Sequence, residues 1–267
     1  MTAVADWVRR WSYNAGVARV VRVMGLGRMA RSVYGRVFRP RDGLFRVETA
    51  GVQARFAAPT PEEFRVIELA WLGERTLIDS LLHILHPGDV FYDVGANRGL
   101  FTIMAARALG PSGVVYAFEP ERTAFEVLQR NIALNELTNV RAMPSALSDH
   151  NGSANLSPAA DLIQTSRLVE NASLGTYHVE IATGDSLALP VPAVIKIDVE
   201  GHEYAVLRGM TKLLAHENCR AVFCEVHPDV LPQGVTLSMI QDFVRSAGFG
   251  RTTTSTRGAQ VHLGALK

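Results

Sequence analysis

The chain has 267 residues, 48% of them hydrophobic and 20% charged, with a net charge of +1 and only two cysteines. That length buries a full core, which excludes a disulfide-stapled miniprotein and a disordered chain and fits one α/β domain with an N-terminal extension better than two domains. Cys219 and Cys224, five apart on one predicted strand, point to opposite faces, and with no further thiol to complete a zinc set both are expected as buried apolar residues in a reducing compartment.

The charge is unevenly placed. From Met1 to Arg41 nine arginines stand against one acid, Asp6, giving about +8, so the remainder carries about −7. Val4, Trp7, Val8 and Trp11, then Val17, Val20, Val21 and Met24, recur at helical spacing up to a break around Gly25 to Gly27. Residues 1–43 are therefore read as a basic amphipathic helical arm. Two roles stay open for it: attachment to an anionic or glycolipid-rich membrane face, or packing of Trp7 and Trp11 on the body with the arginines solvated. No apolar run reaches the roughly 18 residues a spanning helix needs, and no clean signal-peptide core is present. An Arg-rich, acid-poor start leaves an organelle transit peptide open, while the expected location is the cytoplasm, with the arm as a peripheral contact at the inner membrane face.

Residues 44–267 are expected to form the domain, in which 44–88 supply a hairpin and helices ahead of the core at 89–267. Leu44 to Ala50 and Val52 to Ala57 alternate apolar and polar residues around Gly51, as a hairpin does. Pro59 and Pro61 introduce a helix to about Leu72, and a second runs from Arg75 to Leu85, stopping before Pro87 and Gly88. Glu74 lies at their junction, where a first-turn acid is favoured by the helix dipole.

The stretch DVFYDVGANRG, Asp89 to Gly99, reads as strand, tight loop and helix start. Val90, Phe91, Tyr92 and Val94 suit a buried parallel strand, Gly95 and Gly99 allow close backbone approach to a ligand, and Leu100 to Leu109 continues at helical spacing. Asn97 and Leu100 stand where a dinucleotide fingerprint needs its second and third glycines, and no Lys followed by Ser or Thr closes a P-loop. Asp93 at the strand end would repel a phosphate but suits a ligand with an amino group or a sulfonium, which favours S-adenosylmethionine. A second strand, Val114 to Phe118, ends at Glu119, whose carboxylate could accept both hydroxyls of a ribose.

DVGANRG, then YAFEP, then IKIDVEGHE with a following CEVHP resemble the FkbM family of S-adenosylmethionine-dependent methyltransferases, over roughly Leu44 to Phe249. The resemblance implies a class I (Rossmann-like) methyltransferase fold: a seven-stranded, mostly parallel sheet with helices on both faces, here with the N-terminal helical extension. It implies that Asp93, Gly95, Ala96, Asn97, Gly99 and Glu119 hold the cofactor, that Glu74 faces its amino end, and that Ser145 and Ala146 meet its adenine. Since no acid awaits the adenine amino group there, backbone contact or Asp149 would serve. The implied reaction is O-methylation of a sugar hydroxyl in a glycolipid, polysaccharide or glycosylated natural product. A polyketide or other small-molecule hydroxyl, or a non-catalytic scaffold in glycan assembly, are the alternatives.

Glu121 to Asn135 carries an apolar helical stripe, and Val140 to Leu147 reads as the third strand. Asn151-Gly152 signals a hairpin joining that strand to one near Ala154 to Ser157. Ser157 to Tyr177 shows no period and reads as a flap over the acceptor or a mobile surface loop. Tyr177 to Ile181 extends again, followed by a Thr183–Asp185 turn. Ala193 to Ile197 is the fourth parallel strand, Arg220 to Val226 the fifth, Leu237 to Ala247 the last helix, and Thr252 to Ser255 with Gln260 to Leu263 the closing antiparallel pair.

An alcohol is a poor nucleophile at neutral pH, so methyl transfer to it needs a base or a metal ion. Asp198 and Glu225 end strands expected to be neighbours, with Glu200, His202, Glu203 and His227 close in sequence. Asp198, His202 and His227 are the catalytic candidates. Asp198 and Glu225 could hold a divalent metal, though none is predicted. A helix N-terminus decorated with acids, and ordinary hydrogen-bonded histidines, are the plainer readings. A small molecule or glycan is the expected acceptor, and nucleic acid is disfavoured because the rim is acidic. Oligomeric state stays open.

Overall fold

The computed structural model describes residues 34–158, 166–169 and 175–267. The arm expected at 1–43 lies outside the described residues except for its end. There residues 34–38 are helical, Tyr34 stacks on Phe64 and packs tilted against Phe38, and its hydroxyl donates to Glu68 Oε1 at 3.2 Å.

β1 (Leu44–Thr49) and β2 (Val52–Ala57) form the expected antiparallel hairpin. Its turn places Ala50 and Gly51 at φ 49° and 75°. The two helices expected next are one, α1 (Pro61–Ile84). Thr60 and Glu63 cap it reciprocally and Pro61 supplies the preset first φ, while nothing in Leu72–Arg75 removes a backbone donor. Gly73 interrupts the pattern for a packing reason: a Cβ there would lie 2.6 Å from the Arg257 guanidinium.

The core sheet comprises β3 (Val90–Val94), β4 (Val114–Phe118), β5 (Val140–Met143), β10 (Val194–Ile197), β11 (Ala221–Val226), β12 (Arg251–Arg257) and β13 (Gln260–Leu266). Its order is β12-β13-β11-β10-β3-β4-β5, with β13 alone reversed, which is the seven-stranded class I sheet expected from the sequence. Alternate residues serve opposite faces. Phe91, Val194 and Phe223 join the hydrophobic cluster under α1, α2 (Leu100–Leu109) and α3 (Arg122–Leu134). Tyr92, Ile195 and Cys224 join the one under α4 (Glu203–Arg208), α5 (Thr211–Ala215) and α6 (Leu237–Ser246). Burial on both faces is why the central strands read as continuous apolar runs. Cys219 and Cys224 are free and buried. Among the described residues no helix is long and apolar enough to cross a membrane.

The stretch expected as one third strand is two. Pro144, which lacks an N–H, separates β5 from β6 (Ser145–Leu147), and β6 leaves the core sheet for a second, four-stranded one. The Asn151-Gly152 signal does not pair β6 with β7 (Gly152–Ser157), because β9 (Tyr177–Ala182) lies between them. The Asn151 side chain instead accepts from Thr183 N and Ser186 Oγ, at 2.8 and 2.9 Å. Within the stretch expected as a flap, β8 (Arg167–Val169) pairs with β7, while 159–165 and 170–174 lie outside the described residues.

The chain works outward from β3 to β5, then returns to β10 on the other side of β3, so a crevice opens at the strand ends between them. Here Gly95 sits at φ 79°, and a Cβ on it would overlap the Asp198 carbonyl oxygen. The glycine thus accommodates the neighbouring loop. Gly95→Ala should destabilise the domain by about 3 kcal/mol through positive-φ strain and this overlap, measured by urea denaturation. A loss well under about 1 kcal/mol would sink this account.

Candidate active site

The crevice is a cavity of about 610 Å³ that α1 walls on one side and the second sheet on the other. Gly95, Ala96, Asn97 and Arg98 of the loop after β3 line it, as do Glu119, Glu74, Ala146, Leu147, Leu156, Leu168, Asp198, His202 and Glu225. Asp93, Gly99 and Ser145 do not. Asp93 is fully buried beneath the loop, accepting from Thr102 Oγ1 at 2.5 Å and lying 3.6 Å from Lys196 Nζ. Burial raises its pKa against these partners. Gly99 makes room for Leu128 Cδ1, 2.6 Å from where its Cβ would be, and Ser145 pairs with β9.

Glu119 faces the loop directly. Its Oε2 accepts from Asn97 N at 2.6 Å and its Oε1 from Glu121 N at 2.9 Å. Burial nonetheless pushes its carboxyl up to about 7, partly offset by these two bonds. Glu74 stands in mid-helix, not in a first turn, and pairs with Arg257, while its Oε2 is buried without a hydrogen-bond partner. Its pKa is raised, chiefly by burial and then by the Glu225 charge.

β10 and β11 are adjacent and parallel, with Ile197 opposite Cys224, which brings Asp198 and Glu225 to one rim. His202 lines the cavity, with Nε2 2.9 Å from Ser148 Oγ, and burial lowers its pKa, so it is neutral at pH 7. His227 does not line the cavity. It is 6% exposed, with Nδ1 2.8 Å from Glu203 Oε1 and Nε2 3.8 Å from Asp198 and 3.5 Å from Glu200. Burial alone would lower its pKa, but the Glu203 hydrogen bond and the Asp198 and Glu200 charges raise it to about 9. His227 is therefore an imidazolium at neutral pH, unable to accept a proton from an acceptor.

Ligand atoms of Asp198, Glu225 and His227 lie within 4.8 Å of one another, as do those of Glu74, Glu225 and His262. These acids already face cations: Lys196 is 3.5 Å from Asp198 and Arg257 is 3.3 Å from Glu225, while His262, whose pKa the Glu225 hydrogen bond raises, lies 3.6 Å from Glu225. A divalent ion would compete with that pairing. Lys196, Arg257, Gln260 and His262 are absent from the sequence-based candidates. Lys196 had a signal, as the single charge in the buried run VIKI; the other three sit in a polar terminal hairpin with none.

The profile of the Methyltransferase FkbM domain matches residues 93–250. Hexuronic acid methyltransferase AglP of Haloferax volcanii is 33% identical over 194 residues, 71% of this chain and 77% of that protein. 31-O-demethyl-FK506 methyltransferase FkbM of Streptomyces tacrolimicus is 40% identical over 68 residues, 26% of this chain and 25% of that protein. The crystal structure of methyltransferase FkbM from Methylobacillus flagellatus KT aligns with a TM-score of 0.49 at 12% identity, over 77% of this chain and 54% of that one.

Because the folded pKa of His227, about 9, exceeds its ordinary 6.5, its contribution to stability is complete below about pH 6.5 and lost as pH rises through about 9. His227→Gln should remove a fall of up to about 3 kcal/mol over that window, read from urea midpoints across a pH series. Parallel falls in both proteins would contradict the imidazolium assignment.

Proposed function

The chain belongs to the FkbM methyltransferase family, and from that membership we propose that it transfers the methyl group of S-adenosylmethionine to a hydroxyl of a sugar in a glycolipid, polysaccharide or glycosylated natural product. The carrying observation is one cavity whose walls offer Glu119 and, on the same side as β10 and β11, the proton-accepting groups Asp198 and His202. The relative that acts on hexuronic acid supports a sugar acceptor.

The residues suit the cofactor. Glu119 is placed to accept the ribose hydroxyls, the unpartnered Oε2 of Glu74 suits an ammonium group, and Ala146, Leu147, Leu156 and Leu168 offer an apolar wall for a flat base. When bound, S-adenosylmethionine supplies a methyl group on a cationic sulfonium. The protein then has to hold an acceptor oxygen in line, exclude water and take one proton. His202, neutral at pH 7, and Asp198, whose pKa is raised by burial, line the cavity and are the groups assigned to take it. His227 and Glu203 brace the rim from behind. Ser166, with Arg167 and Leu168 of β8, lines part of the cavity and limits solvent. The partial match to the FK506-directed enzyme favours a polyketide hydroxyl as the second reading.

Glu119→Ala should weaken cofactor binding by about 1–3 kcal/mol through lost charged hydrogen bonds, by calorimetry. Since Glu119 ionises near pH 7 and only the carboxylate accepts both hydroxyls, wild-type affinity should rise as pH increases through about 7 and that of Glu119→Gln should not. Tight NAD binding without a response to S-adenosylmethionine would overturn the cofactor assignment. A mass-spectrometric screen of sugar and polyketide acceptors, run with and without chelator, tests the acceptor class. Asp198→Asn should cut transfer by about 100-fold or more with cofactor affinity little changed. Cofactor binding without transfer to any acceptor would point to a scaffold.

A further inference from the structure

The acids that end β10 and β11 would by themselves repel an acidic sugar, and Arg257 changes that surface. It closes β12, opposite Gln260 in the β12–β13 register. Its guanidinium pairs with Glu74 on α1, lies 3.3 Å from Glu225 Oε1 and donates to Gln260 Oε1 at 3.1 Å. The acids are the buried partners: the Glu74 and Glu225 side chains are 13% and 4% exposed, against 39% for Arg257. The cation is therefore the most exposed member of the cluster, and it lines the cavity. Of five guanidinium donors, these partners engage three and leave two unassigned among the described residues. Gln260, paired with Arg257 in the β12–β13 register, orients the group through that acceptor oxygen. The other cavity arginines are placed differently. Arg98 faces Glu62, Glu63 and Glu121, and Arg167 stands on β8 in the second sheet.

Building on the sugar O-methylation proposed above, we infer that Arg257 recognises a carboxylate on the acceptor, so that the preferred acceptor is a hexuronate rather than a neutral hexose. Charge-assisted N–H···O bonds from a planar guanidinium are the strongest available means of reading a carboxylate, and a neutral sugar leaves those donors unpaired. Gln260 acts as a positioning residue for this contact.

The test measures binding of methyl glucuronide and methyl galacturonide, each against its hexose counterpart, to the full chain saturated with S-adenosylhomocysteine. Wild type should bind at least one uronide about tenfold or more tightly than its hexose. Arg257→Gln should abolish that preference, and Arg257→Lys, which keeps a charge against Glu74 and Glu225, should reduce it. Because Arg257 pairs with Glu74, cofactor-product affinity is measured in both variants and the uronide-to-hexose ratio is read at saturating cofactor product. No uronide preference in wild type, equal losses on uronide and hexose, or a loss confined to the cofactor product would each overturn the inference. If Arg257→Gln fails to fold, Arg257→Lys decides: a preference equal to wild type overturns the assignment. Parallel turnover assays separate this from the acceptor reading, because a uronide bound through Arg257 but never methylated would sink sugar O-methylation and leave the carboxylate site standing.

Discussion

The organisation of the crevice depends on the buried ammonium group of Lys196. Its three N–H donors face three oxygens: the Gly95 carbonyl at 3.0 Å, Asp93 at 3.6 Å and Asp198 at 3.5 Å. These belong to the ends of β3 and β10, the two strands between which the chain reverses its order. One side chain therefore ties the loop after β3 to the loop after β10, and it stacks 5.0 Å from the Phe101 ring at the start of α2. Burial would favour the neutral amine, but Asp198 and Asp93 keep it protonated. A buried charge with its partners removed is strongly destabilising, so Lys196 and Asp93 constrain each other even though Asp93 does not reach the cavity.

Around this centre the acids and cations alternate. Asp198 is shared between Lys196 and His227, Glu225 between Arg257 and His262, and Glu203 holds His227 from the far side. Such a network resists local movement because displacing one group leaves another unpaired at low dielectric. It also sorts the candidate catalytic groups. His227 is charged and behind the wall; His202 is neutral and in it; Asp198 lies between a lysine and an imidazolium with 29% of its side chain exposed. The arrangement gives methyl transfer a rim that is rigid in position yet retains proton acceptors.

Much of the fold could be read from the chain. The apolar runs at 90–94, 114–118, 194–197 and 221–226 are strands because both faces are buried, and DVGANRG marks the switch point because a left-handed Gly95 and Asn97 are needed where the loops meet. The errors have local causes. Gly73 resembles a helix break but is a landing site for Arg257, which is contributed by residues nearly the whole domain away. Pro144 was an available signal that the third strand divides. Asn151 and Gly152 form a bend and a strand start rather than a hairpin turn, and the strand they begin pairs with β9, a partner that local turn chemistry does not specify.

The sequence by itself determined the family, the α/β class, and the cluster of acids and imidazoles on the segments that end β10 and β11, because those follow from short-range patterns of apolar residues, glycines and charges. Only the tertiary structure decided which of those groups meet the cavity. Asp93 and Glu119 both end parallel strands, yet one is covered by the loop and held by Lys196 and Thr102, while the other lines the cavity. The charge of His227, the placement of Arg257 over Glu74 and Glu225, and the separation of Ser145 from Ala146 likewise depend on burial and on partners distant in sequence. Desolvation and long-range pairing set those properties, and neither is encoded in the spacing of residues along the chain.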